Sequence, residues 1–215
     1  MSEQLKKISE IGLVPLIVLE DAACAKPLGE ALVAGGIPVA EVTFRTDACL
    51  DIIRAMKEIP NLIVGAGTVH TAEQAAAAVH AGATYIVTPA YNPGVIEWCL
   101  AHDIDVIPGT VTPGEIEGAY AYGIRLCKFF PAAAYGGTAT LKALAGPFAD
   151  VRFLPTGGVS LENMIDYLAL PNVAAIGGSF MTPEKLVAAQ DWAGITDTCR
   201  TIVEKMRSAL PMRQK

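Results

Sequence analysis

Histidine is scarce: the chain has three in 215 residues, and His70, His80 and His102 fall at no metal-ligand spacing and beside no cysteine or carboxylate cluster. No metal is therefore expected, and an enzyme of this sequence has to activate its substrate by other means. A CxxC pair is lacking as well. The five cysteines (Cys24, Cys49, Cys99, Cys127, Cys199) are scattered, and an odd number points to reduced thiols. No run of 18 or more apolar residues occurs, and the opening MSEQLKKISEIG has no apolar core of a secretory signal, so the expectation is a soluble, cytoplasmic protein without a membrane contact. With 16 basic residues, a net charge of −6 and no basic stripe, nucleic acid is excluded as a partner. Nor is there a GxSxG elbow, a Walker loop or a GxGxxG fingerprint.

What is present is apolar and periodic. A composition of 52% hydrophobic and 18% charged residues excludes disorder and predicts one compact domain over 1–215 with a large core. Val/Ile/Leu-rich runs at 13–18, 38–44, 62–66, 84–88, 104–108, 125–130, 151–155 and 173–177 read as eight strands. Helical segments follow them at 21–34, 48–58, 71–81, 93–102, 113–122, 138–145, 161–168 and 183–210. Near-continuous apolar strands joined by helices demand a parallel sheet covered on its faces, and eight such units close a (β/α)₈ TIM barrel. A doubly wound open sheet is the alternative. The chain is short against the roughly 250 residues usual for a barrel, which leaves little room for a lid or second domain.

Within the strand at 125–130, Lys128 stands in the run Arg125-Leu126-Cys127-Lys128-Phe129-Phe130-Pro131. The other eight lysines fall in polar, helix-like or terminal segments, where a solvated charge is the default. Removal from water disfavours the ammonium form of a lysine, leaving a fraction as free amine able to attack a ketone and form a Schiff base. The plainer reading is a lysine near a strand end that snorkels to water.

Barrel enzymes work at the carboxyl ends of their strands, which sorts the remaining polar residues. Glu41, Thr43 and Arg45 alternate, so in an extended strand an acid, a hydroxyl and a cation share one face. They form either a buried Glu41–Arg45 ion pair that fixes the strand, or a site in which Arg45, at the strand's exit, holds a substrate carboxylate bidentately. Arg125 and Arg152 open their strands and belong to the opposite face. The small residues of Gly65-Ala66-Gly67-Thr68 would let a ligand approach the backbone, and Thr68 adds a hydroxyl. Gly157-Gly158 and Gly177-Gly178-Ser179 follow the seventh and eighth strands, each feeding a helix, where barrels commonly bind phosphate through backbone N–H groups.

Taken in order, EVTFRT at 41–46, GAGT at 65–68, KFFPA at 128–132, GPF at 146–148 and PTGG at 155–158 resemble the 2-keto-3-deoxy-6-phosphogluconate aldolases of the Entner–Doudoroff pathway. The resemblance covers nearly the whole chain. It implies a class I lyase without metal or other cofactor, a homotrimer, that cleaves the phosphorylated keto acid to pyruvate and glyceraldehyde 3-phosphate. It further implies Lys128 as the Schiff-base lysine and Glu41 as general acid/base, with Arg45 and Thr68 on the pyruvate moiety. Pro89, Phe130 and Thr156 would shape the pocket, and Gly157, Gly158, Gly178 and Ser179 would lie near the phosphate. Ala133 and Ala134 depart from the polar residues usual after KFFPA, and Ala90-Tyr91-Asn92 departs from the pattern after Pro89, which bears on aldehyde preference. Rival readings are the phosphogalactonate aldolase, activity on 4-hydroxy-2-oxoglutarate, a phosphosugar isomerase, and a non-catalytic phosphosugar-binding barrel.

Overall fold

The first helix, α1 (Glu3–Ile11), starts where the Ser2 side chain accepts the Leu5 N–H, and it stops at Gly12, whose φ of 74° suits glycine. The structure, a computed structural model, describes residues 1–211. From there strand and helix alternate: β1 (Leu13–Ile17), α2 (Ala25–Ala34), β2 (Val39–Thr43), α3 (Cys49–Met56), β3 (Ile63–Gly67) and α4 (Ala72–Ala81). The middle of the chain supplies β4 (Tyr85–Val87), α5 (Pro93–Ala101), β5 (Asp105–Ile107), β6 (Gly109–Thr110) and α6 (Pro113–Ala121). Then come β7 (Leu126–Phe129), α7 (Gly137–Leu144), β8 (Arg152–Pro155), α8 (Met164–Leu168), β9 (Ile176–Gly178), α9 (Glu184–Ala188) and α10 (Trp192–Ala209). Local chemistry sets several starts. Asn92 caps α5 with Pro93 in its first turn, and Thr112 and Glu115 cap α6 reciprocally.

The strands pair in parallel in the order β5-β4-β3-β2-β1-β9 and β6-β7-β8. The two arcs close into a barrel. Single parallel bridges at Phe153–Val173 and Thr156–Gly177 join β8 to the chain around β9. Only Pro108 separates β5 from β6, and its carbonyl accepts the Lys128 N–H at 2.8 Å. Proline has no N–H for the ladder, so the fifth strand read at 104–108 becomes two short strands in one position of an eight-membered ring.

Alternation divides the side chains between two layers. Val14, Val39, Tyr85, Val87, Ile107, Leu126 and Leu154 cluster inside the ring, whereas Val42, Cys127, Phe129 and Phe153 join the helix-covered layer. Helix α1 closes the amino-terminal end of the interior. Leu5 and Ile8 join the inner cluster, while Gln4 Nε2 donates to the Thr84 carbonyl at 2.9 Å and Ser2 Oγ to Asp105 Oδ2 at 2.6 Å. Burying each of those aliphatic side chains contributes about 1.5–3 kcal/mol. Three features depart from the sequence reading: α1 was not expected, residues 22–24 form a 3₁₀ turn ahead of α2, and the helix read at 183–210 breaks at Gln190, which has a φ of 51°.

Candidate active site

Strands β2 and β7 stand opposite one another across the ring. Each directs one ionisable side chain inward. Lys128 Nζ donates to Glu41 Oε1 at 3.1 Å, and the side chains are only 4% and 0% exposed. The lysine therefore does not snorkel to water. Placing two charges in a dry interior costs several kcal/mol per ion before their attraction offsets it, so such a pair is weak evidence for a purely structural purpose. Glu41 Oε2 accepts no hydrogen bond among the described residues, although a carboxylate has roughly four acceptor positions. Nζ also lies 5.4 Å from the centroid of the Phe130 ring.

Of the row of acid, hydroxyl and cation expected along β2, Glu41 and Thr43 lie two apart within the strand, and Arg45 falls beyond its end. Glu41 pairs with Lys128, not with Arg45, and Thr43 Oγ1 donates to the Ile17 carbonyl at 3.0 Å. Strand β2 ends at Thr43, so strict alternation does not reach Arg45. Arg45 is exposed, has no ion pair among the described residues, and lines a hollow of about 770 Å³ together with Ser179 and Phe180. Glu20, Asp21 and Glu184 also line that hollow; neither Lys128 nor Glu41 does.

The glycines of β3 do something other than admit a ligand. A Cβ on Gly65 would sit 2.3 Å from the Tyr85 ring, and one on Gly67 would sit 2.2 Å from Glu41 Oε1. The protein's own side chains thus fill both notches. Tyr85, which the sequence reading left as an ordinary strand residue, is fully buried inside the barrel with its hydroxyl donated to the Ala40 carbonyl at 3.0 Å. Burial first, and then the negative charge of Glu41, hold its phenol well above the ordinary range.

Around the pair, Thr156 is 2% exposed at the end of β8, and its Oγ1 has no partner among the described residues. Gly177 makes room for it, since a Cβ there would lie 2.4 Å from Thr156 Oγ1. Thr68, half-buried just past β3, holds a φ of 58°, a conformation that costs a β-branched residue energy and is often found at functional sites. Pro89 and Phe130 are half-buried past β4 and β7. Gly157 and Gly158 take φ values of 89° and 78°, successive left-handed residues that suit glycine. Gly178 is buried and Ser179 exposed, at the start of a 3₁₀ turn. The helix read at 161–168 begins only at Met164, so the N–H groups of Gly157 and Gly158 do not lie at its first turn, and Gly178 leads into the 3₁₀ turn at 179–181 ahead of α9.

Cys127, beside Lys128 in sequence, faces the helix layer, and burial pushes its thiol up to about 12. It does not compete as a nucleophile. Among the described residues no three His, Cys, Asp or Glu side chains group as a metal site would require, and no helix is long and apolar enough to cross a membrane.

A closed ring of parallel strands with an amine and a carboxylate buried face to face has the parts of a barrel enzyme that works through a lysine imine. Comparison with known proteins makes this specific. Residues 4–198 match the family model "Aldolase: KDPG and KHG aldolase", and the chain belongs to that family. It is 45% identical to the 2-dehydro-3-deoxy-phosphogluconate aldolase of Treponema pallidum over 190 residues, 88% of this chain and 90% of that one. It is likewise 45% identical to the KHG/KDPG aldolase of Escherichia coli K12 over 193 residues, 89% of this chain and 91% of its relative. Its fold superposes with a TM-score of 0.89 and 38% identity, over 93% of this chain and 98% of the other, on the KDPG aldolase of Legionella pneumophila captured with pyruvate as a covalent carbinolamine.

Proposed function

We propose that the chain is a class I aldolase that cleaves 2-keto-3-deoxy-6-phosphogluconate (KDPG) to pyruvate and glyceraldehyde 3-phosphate through an imine on Lys128. The observation that carries the residue assignment is the 3.1 Å contact between Lys128 Nζ and Glu41 Oε1 inside the barrel. A proton shared by the pair frees the Nζ lone pair whenever Glu41 holds it. Nζ then attacks the C2 ketone, and Glu41 returns the proton as the carbinolamine loses water to give the iminium. Glu41 next accepts the C4 hydroxyl proton. The electrons of the C3–C4 bond move into the iminium, the aldehyde leaves and an enamine remains. Protonation at C3 and addition of water release pyruvate and restore the amine. The iminium is the electron sink throughout, so no metal or other cofactor is required by this route.

The other assignments have separate support. Arg45 is exposed at the exit of β2 with no carboxylate paired to it among the described residues, which suits the substrate carboxylate, and Thr68 stands at the neighbouring strand end. A pocket role for Pro89, Phe130 and Thr156 draws support from the Phe130 ring 5.4 Å from Lys128 Nζ, the Thr156 N–H donated to the Phe129 carbonyl, and Pro89 packed beside Gly109, the register partner of Lys128. The N–H groups of Gly157 and Gly158, in successive left-handed residues, with Gly178 ending the next strand and Ser179 just past it, suit a phosphate. A cytoplasmic homotrimer is proposed from the family resemblance, and sedimentation equilibrium tests its subunit number.

Borohydride reduction in the presence of pyruvate and a chelator is the direct test, because reduction converts an imine to a stable amine. A pyruvyl adduct mapped to Lys128 is expected. Folded protein without that adduct would overturn the Schiff-base assignment and favour a phosphosugar-binding or isomerase barrel.

A further inference from the structure

We propose that Gly67 is a positioning residue: its missing side chain is the space in which the Glu41 carboxylate lies to reach Lys128. This rests on the acid/base role proposed for Glu41. A Cβ at Gly67 would stand 2.2 Å from Glu41 Oε1, 2.6 Å from its Cγ and 2.8 Å from its Cδ. The three atoms it would meet first all belong to that one side chain. Gly67 lies in strand β3 with no left-handed backbone, and its register partner is Thr43, so nothing in the chain's conformation calls for glycine there. An interior strand glycine without a backbone purpose marks the close approach of another group, and here that group is a fully buried carboxylate.

Glu41 has little freedom to yield. Its carboxylate is wholly buried, and the only hydrogen bond that carboxylate makes among the described residues is the one to Lys128 Nζ. Ordinary contact with an added methyl begins at 3.4 Å, which moves the carboxylate by about 1 Å. A misplacement of that size at a reacting centre costs about 10²-fold in rate. Gly67 has no side chain to exchange a proton or bind substrate, so its effect on turnover passes through the Glu41 carboxylate packed against it.

The test is a double-mutant cycle in steady-state KDPG cleavage with Gly67→Ala, Glu41→Gln and the pair together. Gly67→Ala alone is expected to lower kcat about 10²-fold while keeping the borohydride-trapped pyruvyl adduct on Lys128. In the Glu41→Gln background the same alanine is expected to change kcat by less than about threefold, because residues acting as one unit are not additive. Equal losses in both backgrounds would overturn the inference, since the alanine would then be disturbing the barrel generally. Full rate in Gly67→Ala beside a slow Glu41→Gln overturns it while leaving Glu41 in place. Full rate in Glu41→Gln removes Glu41 from the chemistry and this inference with it. Thermal unfolding covers the case in which Gly67→Ala does not fold. In the Glu41→Ala background, where the colliding atoms are gone, adding Gly67→Ala is expected to leave Tm unchanged or raised, and a lower Tm overturns the claim that the space is reserved for Glu41.

Discussion

Replacing Lys128 by methionine keeps an unbranched chain of similar length but removes the only hydrogen-bond donor to the Glu41 carboxylate among the described residues. The carboxylate, 0% exposed, is then left in an apolar barrel with neither oxygen satisfied. Removing one partner of a buried ion pair costs about 3–5 kcal/mol, because the remaining charge keeps its desolvation penalty and loses its compensation. For a domain of this size each kcal/mol moves Tm by about 2–4 °C, so Lys128→Met should melt about 6–20 °C below the parent. Adding Glu41→Met removes the stranded charge, and similarly sized apolar side chains commonly match or exceed a buried ion pair. The double variant should therefore recover most of the loss. Thermal melts and urea midpoints at unchanged m-value make the comparison, with activity abolished in both variants. A single variant within about 1 kcal/mol of the parent would refute the account of the pair as buried and mutually dependent.

Cys99, Cys127 and Cys199, whose thiols burial pushes to about 12 from an ordinary 9.0, should resist iodoacetamide at pH 8 until the chain is unfolded, as read by peptide mapping. The same shifts carry a stability sign: the folded state holds these protons more tightly, so stability is intact below pH 9.0 and falls as pH rises toward 12, by about 1.4 kcal/mol per pH unit for each thiol. Urea midpoints across that range check it. Arg45→Lys, which replaces a planar fork by a point charge, should lower kcat/KM for KDPG by about 10-fold or more while leaving Tm unchanged, because Arg45 is exposed. Gly157→Ala strains a backbone at φ 89° and should raise KM for KDPG while sparing cleavage of 4-hydroxy-2-oxoglutarate, which has no phosphate; equal losses on both substrates remove the phosphate assignment.

The ring was legible because its evidence is local and repeated: each strand is an apolar run, and each changeover carries Gly, Pro, Thr or Asn. Lys128 was legible for the complementary reason, as a cation placed against that pattern. The sequence did not show who meets whom. Glu41 could be matched to Arg45 by spacing, but 87 residues separate it from Lys128, and only closure of the barrel brings β2 opposite β7. The glycines of β3 were misread for the same reason. Gly65 and Gly67 mark a close approach, and nothing in GAGT says whether a ligand or the protein's own Tyr85 and Glu41 makes it. Helix α1 escaped notice because its opening, MSEQLKK, is polar, and its Leu5 and Ile8 find their partners only inside the ring.

The barrel interior contains its own comparison for the purpose of the ion pair. Val14, Val39, Leu126 and Leu154 fill the ring with aliphatic side chains, so the fold readily supplies apolar residues on β1, β2, β7 and β8. Two residues along from Val39 and Leu126, the same faces carry Glu41 and Lys128. An apolar pair at those positions would have spared the desolvation of two charges without loss of packing, so stability alone does not account for their presence. The polar pair sits two residues nearer the carboxyl ends of its strands, where a barrel does chemistry, than the aliphatic pair, which lies toward the closed end beneath α1. The change from aliphatic to ionisable within two residues of one strand therefore marks where structure gives way to function, and Oε2 of Glu41, without a partner among the described residues, lies on the functional side of that boundary.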